Sequence, residues 1–180
     1  AQIFYVGAQI MCWTYIYQYA EGIGMDSVTA GYYQMAAFVL FTVGRAFGTY
    51  LLRFVNAGKL LMLFALFAIG CTLGVVVINN VVGLYCLVGV SFFMSLMFPT
   101  IYGIALGKLS EDESKIGSAG LVMAIVGGAL MPKLQGMIID IGGYAVDDVN
   151  IVGISEINLS FLLPVLCFAF IAIYGRKTNI

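Results

Sequence analysis

Tyr5, Gln9 and Trp13 stand four residues apart in the stretch YVGAQIMCW. In a helix that spacing puts them on one face. The ridge carries a phenol, an amide and an indole, each with a hydrogen-bonding tip. An amide deep in an apolar span is costly without a partner. Gln9 and Trp13 are therefore read as facing a polar cavity; the alternative is an interhelical hydrogen bond with packing. Tyr15, Tyr17 and Tyr19 follow toward one end of the stretch, where an interfacial aromatic belt explains them equally well. Gln34, beside Tyr33, and Gln135 are the comparable amides further along. Lys133 directly follows Pro132, about seven residues and roughly 10 Å of helix before Asp140. Its stem can snorkel to the interface, the preferred reading, or turn to a cavity as a donor. Ser95, Thr100 and Tyr102 flank Pro99; hydroxyls near a proline often bond back to their own helix. Arg45 lies about two turns inside an apolar run. It is expected to reach the interface or to pair with helix-end carbonyls.

Absences narrow the chemistry. The chain has no histidine, which sets aside haem subunits and Ser–His intramembrane proteases. Cys12, Cys71, Cys86 and Cys167 form no CxxC pair and lack the neighbours of a metal site. They read as small buried apolar residues. The net charge of −1 offers no basic patch for nucleic acid.

The elements that must position these side chains are membrane helices. The sequence is 62% hydrophobic and 9% charged, with mean hydropathy +1.04. Soluble domains carry roughly 25% charged residues, so a soluble fold could not cover itself. The apolar runs do not alternate and far exceed the ~10 residues of a barrel strand. Polar breaks divide them into six helices over about 1–20, 28–54, 59–79, 82–107, 115–140 and 156–175. Breaks after the second, fourth and sixth helices hold Arg53, Lys59, Lys108, Lys115, Arg176 and Lys177; the other breaks hold Glu21, Asp26, Asp140, Asp147, Asp148 and Glu156 and no Lys or Arg. The positive-inside rule makes the basic side cytoplasmic, with both chain ends there. The acids Glu111, Asp112 and Glu113 on that side count for little under the rule. The chain opens without Met inside an apolar run and shows neither a basic leader nor a cleavage site. It is expected to be a piece of a longer protein.

Packing cues are glycines and prolines. Gly is 22 of 180 residues, above the ~7% average. Small-xxx-small pairs fall at Gly44–Gly48, Gly70–Gly74 and Gly103–Gly107, where backbones can approach closely. Pro99 and Pro132 lie inside the fourth and fifth spans and are expected to kink them.

The segment GRAFGTYLLRFVNAGKLL, Gly44 to Leu61, resembles the G-x-L-x-D-R-x-G-R/K signature between the second and third helices of each half of major facilitator superfamily transporters. Gly48, Arg53, Gly58 and Lys59 match loosely; Leu52 stands where the acid is usual. Together with TAGY (Thr29–Tyr32), FFMSLMFPTIY (Phe92–Tyr102), VGGALMPKLQG (Val126–Gly136) and the opening ridge, the order resembles the C-terminal half of the fucose:proton symporter family, which includes glucose/galactose permeases. The resemblance implies an all-α membrane fold: the last six helices of a twelve-helix permease, in a bacterial inner membrane. It implies a transporter and not an enzyme, with no cofactor and no metal. Its partners would be a sugar, protons, the bilayer and the absent N-terminal half.

On that reading the Trp13 ring would stack on the sugar and Gln9 would bond a hydroxyl. Tyr5, Gln34, Lys133 and Gln135 complete the candidate site. Arg45, Gly48, Arg53, Lys59, Pro99 and Pro132 would serve conformational change, Arg45 as part of the latch between the halves. No Asp or Glu is placed mid-span in this half. A proton-carrying carboxylate must then lie in the other half. The competing readings are a stand-alone six-helix assembly module and a permease for another small solute.

Overall fold

The computed structural model describes residues 1–107, 109–140, 150–151 and 154–178. Lys108, Asp147 and Asp148, used above to sort the breaks by charge, lie outside the described residues. Ten α-helices are described: α1 (Gln2–Thr14), α2 (Ile16–Gly22), α3 (Ser27–Leu51), α4 (Ala57–Val77), α5 (Val81–Met94), α6 (Met97–Leu106), α7 (Glu111–Met123), α8 (Gly127–Ile139), α9 (Glu156–Ser160) and α10 (Leu162–Lys177). A 3₁₀ turn, Ala124–Val126, joins α7 to α8. A two-stranded antiparallel hairpin, β1 (Asn150–Ile151) and β2 (Ile154–Ser155), precedes α9; no strand was expected there.

Short polar residues set where helices begin. The Asp26 carboxylate caps α3 by accepting from the Thr29 amide at 3.2 Å and its hydroxyl at 2.6 Å. The Asn56 amide oxygen accepts from the Gly58 amide at 2.9 Å to start α4, and that of Asn80 from Val82 at 2.7 Å to start α5. Ser110 and Glu113 close a capping box on α7. Each device satisfies amides that a helix leaves open at its N-terminus. The acids of EDES, expected in a loop before a span at 115, thus form the first turn of α7. Gly24, at φ 84°, supplies the left-handed turn between α2 and α3.

Among the described residues, four helices are long and apolar enough to cross a membrane: Ala57–Val77, Val81–Leu106, Glu111–Ile139 and Glu156–Lys177. The most apolar 18-residue stretches within them have mean hydropathies of 2.7, 2.2, 1.6 and 2.2. The expected first span is divided at Tyr15 into pieces of 13 and 7 residues. The 25-residue α3 dilutes its apolar positions with Thr, Tyr, Gln and Arg.

α4 packs most extensively on α10 and on α5, α3 on α5, and α1 on α8 and α10. Tyr5, Met11, Ile16, Tyr19, Leu60, Leu84, Met94, Phe161 and Phe168 are fully buried among them. The outside is equally apolar. Met35, Phe38, Val39 and Phe47 on α3, Leu66 and Phe67 on α4, and Leu166 and Phe170 on α10 are all exposed. Water-soluble monomers do not present apolar surface on this scale.

Close helix approach falls at one of the three expected glycine pairs and at two glycines outside them. A Cβ at Gly44 would lie 2.6 Å from the Phe92 carbonyl oxygen, and one at Gly48 would press on Leu96. That pair seats α3 on the end of α5 and on the Leu96 turn that follows it. Gly70 and Gly103 face open space. Gly127 instead meets the Ile3 backbone, and Gly175 would set a Cβ 2.8 Å from the Met62 amide; these seat α8 on α1 and α10 on α4.

Candidate functional site

The ridge of Tyr5, Gln9 and Trp13 forms on α1. Trp13 is half-buried; its indole N–H donates to Ser91 Oγ on α5 at 3.2 Å. Its ring lies edge-on to Phe38 at 4.9 Å and to Phe41 at 5.1 Å, both on α3. The indole is thus pinned where α1, α3 and α5 meet. Gln9, one turn earlier, is half-buried. Tyr5 is fully buried against the edge of Phe98 on α6, 6.0 Å between centroids, and its hydroxyl has no protein partner among the described residues.

The other amides lie elsewhere. Gln34 on α3 is half-buried with its Oε1 enclosed and unpartnered; beside it Tyr33 packs on Tyr85 at 5.8 Å. Gln135 on α8 is fully buried, and its Nε2 donates to Ser160 Oγ on α9 at 3.0 Å. Its Oε1 is left without a partner. Lys133 is exposed, on a side of α8 shared with Leu130, Leu134 and Met137. Two residues of helix separate Lys133 from Gln135 by roughly 200°, so the two side chains leave α8 in opposite directions. The structure therefore joins Tyr5, Gln9 and Trp13 through one ridge but does not gather Lys133 and Gln135 beside each other.

Enclosed polar atoms without partners cost about 1–3 kcal/mol each. The oxygens of Tyr5, Gln34 and Gln135 keep hydrogen-bonding capacity that a hydroxylated solute or water can use. So does Gln2, buried with neither amide atom paired. Gln2 and Ser91 are not among the expected site residues, and Glu156 was expected in a polar break. Glu156 is in fact buried at the start of α9. Asn158, two residues on, donates from Nδ2 to the Val75 carbonyl near the end of α4 at 2.9 Å. The polar alternation of SEINLS was the available signal.

The conformational candidates separate similarly. Arg45 Nε donates to the Ser95 carbonyl at 3.2 Å, and its guanidinium stands 5.0 Å from the Phe41 ring centroid. That is the pairing with a helix-end carbonyl anticipated for it. The Ser95 hydroxyl donates to the Phe92 carbonyl at 2.6 Å, and Thr100 to that of Leu96 at 2.8 Å. Both bond back to their own chain segment. Pro132 accepts at its carbonyl from the Tyr15 hydroxyl at 2.8 Å. Arg53 and Lys59 are exposed around the α3–α4 turn. The ion pair formed among the described residues is Lys115–Asp112, at 3.1 Å on the surface. All four cysteines are free thiols.

No family model matches the chain. It is 53% identical over 177 residues to the L-fucose-proton symporter of Haemophilus influenzae, covering 98% of this chain and 40% of that protein. It is 36% identical to the L-fucose-proton symporter of Escherichia coli, over 98% of this chain and 38% of the relative. A glucose/galactose transporter of Brucella abortus is 31% identical over 95% of this chain and 39% of its own length. A crystal structure of the major facilitator superfamily transporter FucP in its outward conformation superposes with TM-score 0.88 and 35% identity, over 99% of this chain and 41% of that one. The chain spans about 40% of the length of the curated relatives it matches.

Proposed function

We propose, from the premise that this chain belongs to the fucose:proton symporter family of the major facilitator superfamily, that it forms the C-terminal six-helix half of a secondary transporter carrying L-fucose or a related hexose with protons. The observation that carries the reading is 53% identity sustained over 98% of the chain to an L-fucose-proton symporter. A likeness of that extent covers every helix, not one motif. The bilayer, the N-terminal half, a sugar and protons are the partners. The protein sits in the inner membrane with both ends of this chain cytoplasmic.

Transport breaks no bonds. It requires a site near the midplane that opens alternately to each side as two halves rock. A hexose presents hydroxyls and apolar C–H faces to such a site. The Trp13 N–H is already engaged by Ser91, so its contribution is the ring, held in place for stacking. Gln9, one turn away and half-buried, supplies an amide for a hydroxyl; the unpartnered Oε1 of Gln34 is enclosed and reaches a solute only after a local shift of α3. Tyr5 and Gln135 are fully enclosed and reach a solute only if α6 or α9 shifts. Lys133 is assigned to the interface, where its stem lies along apolar neighbours. The proton-carrying carboxylate is assigned to the other half.

Uptake of labelled L-fucose by the full-length protein in vesicles tests this. Accumulation should follow an imposed proton gradient and collapse with an uncoupler. Accumulation indifferent to the gradient rejects proton symport. Trp13→Ala should weaken sugar binding roughly tenfold, the scale of one lost aromatic contact; unaltered affinity removes Trp13 from the site. Lys133→Met should leave uptake intact, and its complete loss would overturn the interfacial assignment.

A further inference from the structure

Pro99 has no amide hydrogen, so the carbonyl four residues before it loses the donor that a regular helix supplies. That carbonyl belongs to Ser95, where α5 ends. It receives Arg45 Nε from α3 at 3.2 Å. We propose that Arg45 replaces the missing Pro99 amide as a releasable pin, holding the α5–α6 junction in one geometry and letting α6 pivot when the contact opens.

Three observations support the pin. First, Gly44 and Gly48 bring the α3 backbone against the junction: a Cβ at Gly44 would lie 2.7 Å from Ser95 Oγ, and one at Gly48 would lie 3.0 Å from Leu96. The guanidinium is thereby delivered to a carbonyl that an apolar surrounding would otherwise leave costly and unmet. Second, the junction itself is slack. The Ser95 amide reaches back only to Phe92, at 3.4 Å, and α6 restarts at Met97 with no side-chain cap. Third, the pin is tied to the ridge on α1. Phe41 carries the Arg45 guanidinium on its ring and packs against Trp13, while Tyr5 packs on Phe98 inside α6. A guanidinium offers five donors, so it can exchange acceptors without losing its charge. Arg45 is a positioning residue: it acts on α6 and does not touch solute. The use of the pivot in transport rests on the reading above; the pin itself does not.

The test uses the full-length protein with Arg45→Met, Pro99→Ala, their combination, and Arg45→Lys. Hydrogen–deuterium exchange is followed at the amides of Met97 to Ile101. Arg45→Met should speed exchange there about tenfold, the scale of a lost charge-assisted hydrogen bond. Arg45→Lys, which keeps a charged donor, should retain most of the protection. Pro99→Ala restores an amide for Ser95, so adding Arg45→Met to it should change exchange no further. An equal increase with and without Pro99, or no increase at all, would overturn the pin. If Arg45→Met alone does not fold, recovery of folding in the double variant supports the proposal and its failure overturns it. In vesicles, Arg45→Met should lower the maximal L-fucose uptake rate and leave L-fucose binding within about twofold; a loss confined to binding counts against a positioning role. Failure of the unaltered protein to take up L-fucose would sink the transport reading, and the exchange comparison would still decide the pin.

Discussion

The rods α5–α6 and α7–α8 each carry a mid-helix proline and end differently. Around Pro99 the helix parts at Ser95–Leu96, and Arg45 comes across from α3 to the freed carbonyl. Around Pro132 the helix runs through without a break; the irregularity is a 3₁₀ turn at Ala124–Val126, about two turns upstream. There Gly127 and Gly128 let α1 press its Ile3, Val6 and Ile10 against α8, and the Tyr15 hydroxyl binds the Pro132 carbonyl. A proline inside a continuous helix removes one hydrogen bond. Both junctions are packed closely through glycines, α8 on α1 and the α5–α6 junction on α3. They differ in what meets the proline: a guanidinium takes the carbonyl freed by Pro99, while at Pro132 a neutral phenol binds the proline's own carbonyl.

The largest effects should come from the packing common to both rods. Gly127→Ala drives a methyl into the Ile3 backbone, and Gly44→Ala drives one at the Phe92 carbonyl. Each should destabilise by about 3 kcal/mol or more in thermal unfolding in detergent, because the clash is with backbone that cannot rotate away. Gly103→Ala, which meets open space, should be neutral or mildly stabilising; a loss as large as at Gly127 would break the packing argument.

Next comes the difference between the two side-chain contacts. Arg45→Met removes a charged donor and should cost roughly 1.5–3 kcal/mol, whereas Tyr15→Phe removes a neutral hydroxyl and should cost roughly 0.5–1.5 kcal/mol. Equal losses would mean that the two prolines are held alike. Ser91→Ala is smaller again. It frees the Trp13 N–H at about 1 kcal/mol, and a shift in Trp13 fluorescence, the chain having one Trp, would report it.

The smallest effect lies outside both rods, at the start of α3. Hydrogen bonds from the Thr29 hydroxyl and amide hold the Asp26 carboxyl below its ordinary value. Its folded-state value is depressed, so its contribution is present above the ordinary carboxylate range and is lost as pH falls through the folded value. Asp26→Ala should remove that acid-dependent part from a pH series of unfolding temperatures. An unchanged acid limb would rule out the cap as its source.

Much of this was legible residue by residue. Four-residue spacing puts Tyr5, Gln9 and Trp13 on one face because helix geometry is local. Asp26, Asn56, Asn80 and Ser110 cap helices through amides two or three residues on, a local signal that the expected span boundaries did not use. Arg45 could be assigned to a helix-end carbonyl, but not to that of Ser95. The Trp13 indole could be read as needing a partner, but Ser91 could not be chosen from among many hydroxyls. The glycine pairs were visible, yet only Gly44–Gly48 of the three works as a pair in close contact; Gly127 and Gly175, which fit no such pair, do as much.

By itself the sequence determined a mainly helical, membrane-compatible chain and which side chains share a face. Each follows from burial preference, backbone hydrogen bonding and a fixed turn, all acting within a few residues. Tertiary structure decided which glycines touch backbone, which proline opens its helix, and what Trp13, Tyr15 and Arg45 bind. Those partners lie 78, 117 and 50 residues away along the chain. An apolar helix face is equally able to meet lipid, a neighbouring helix or another protein segment, so pattern cannot choose among them. Only the simultaneous packing of all the helices fixes which faces meet.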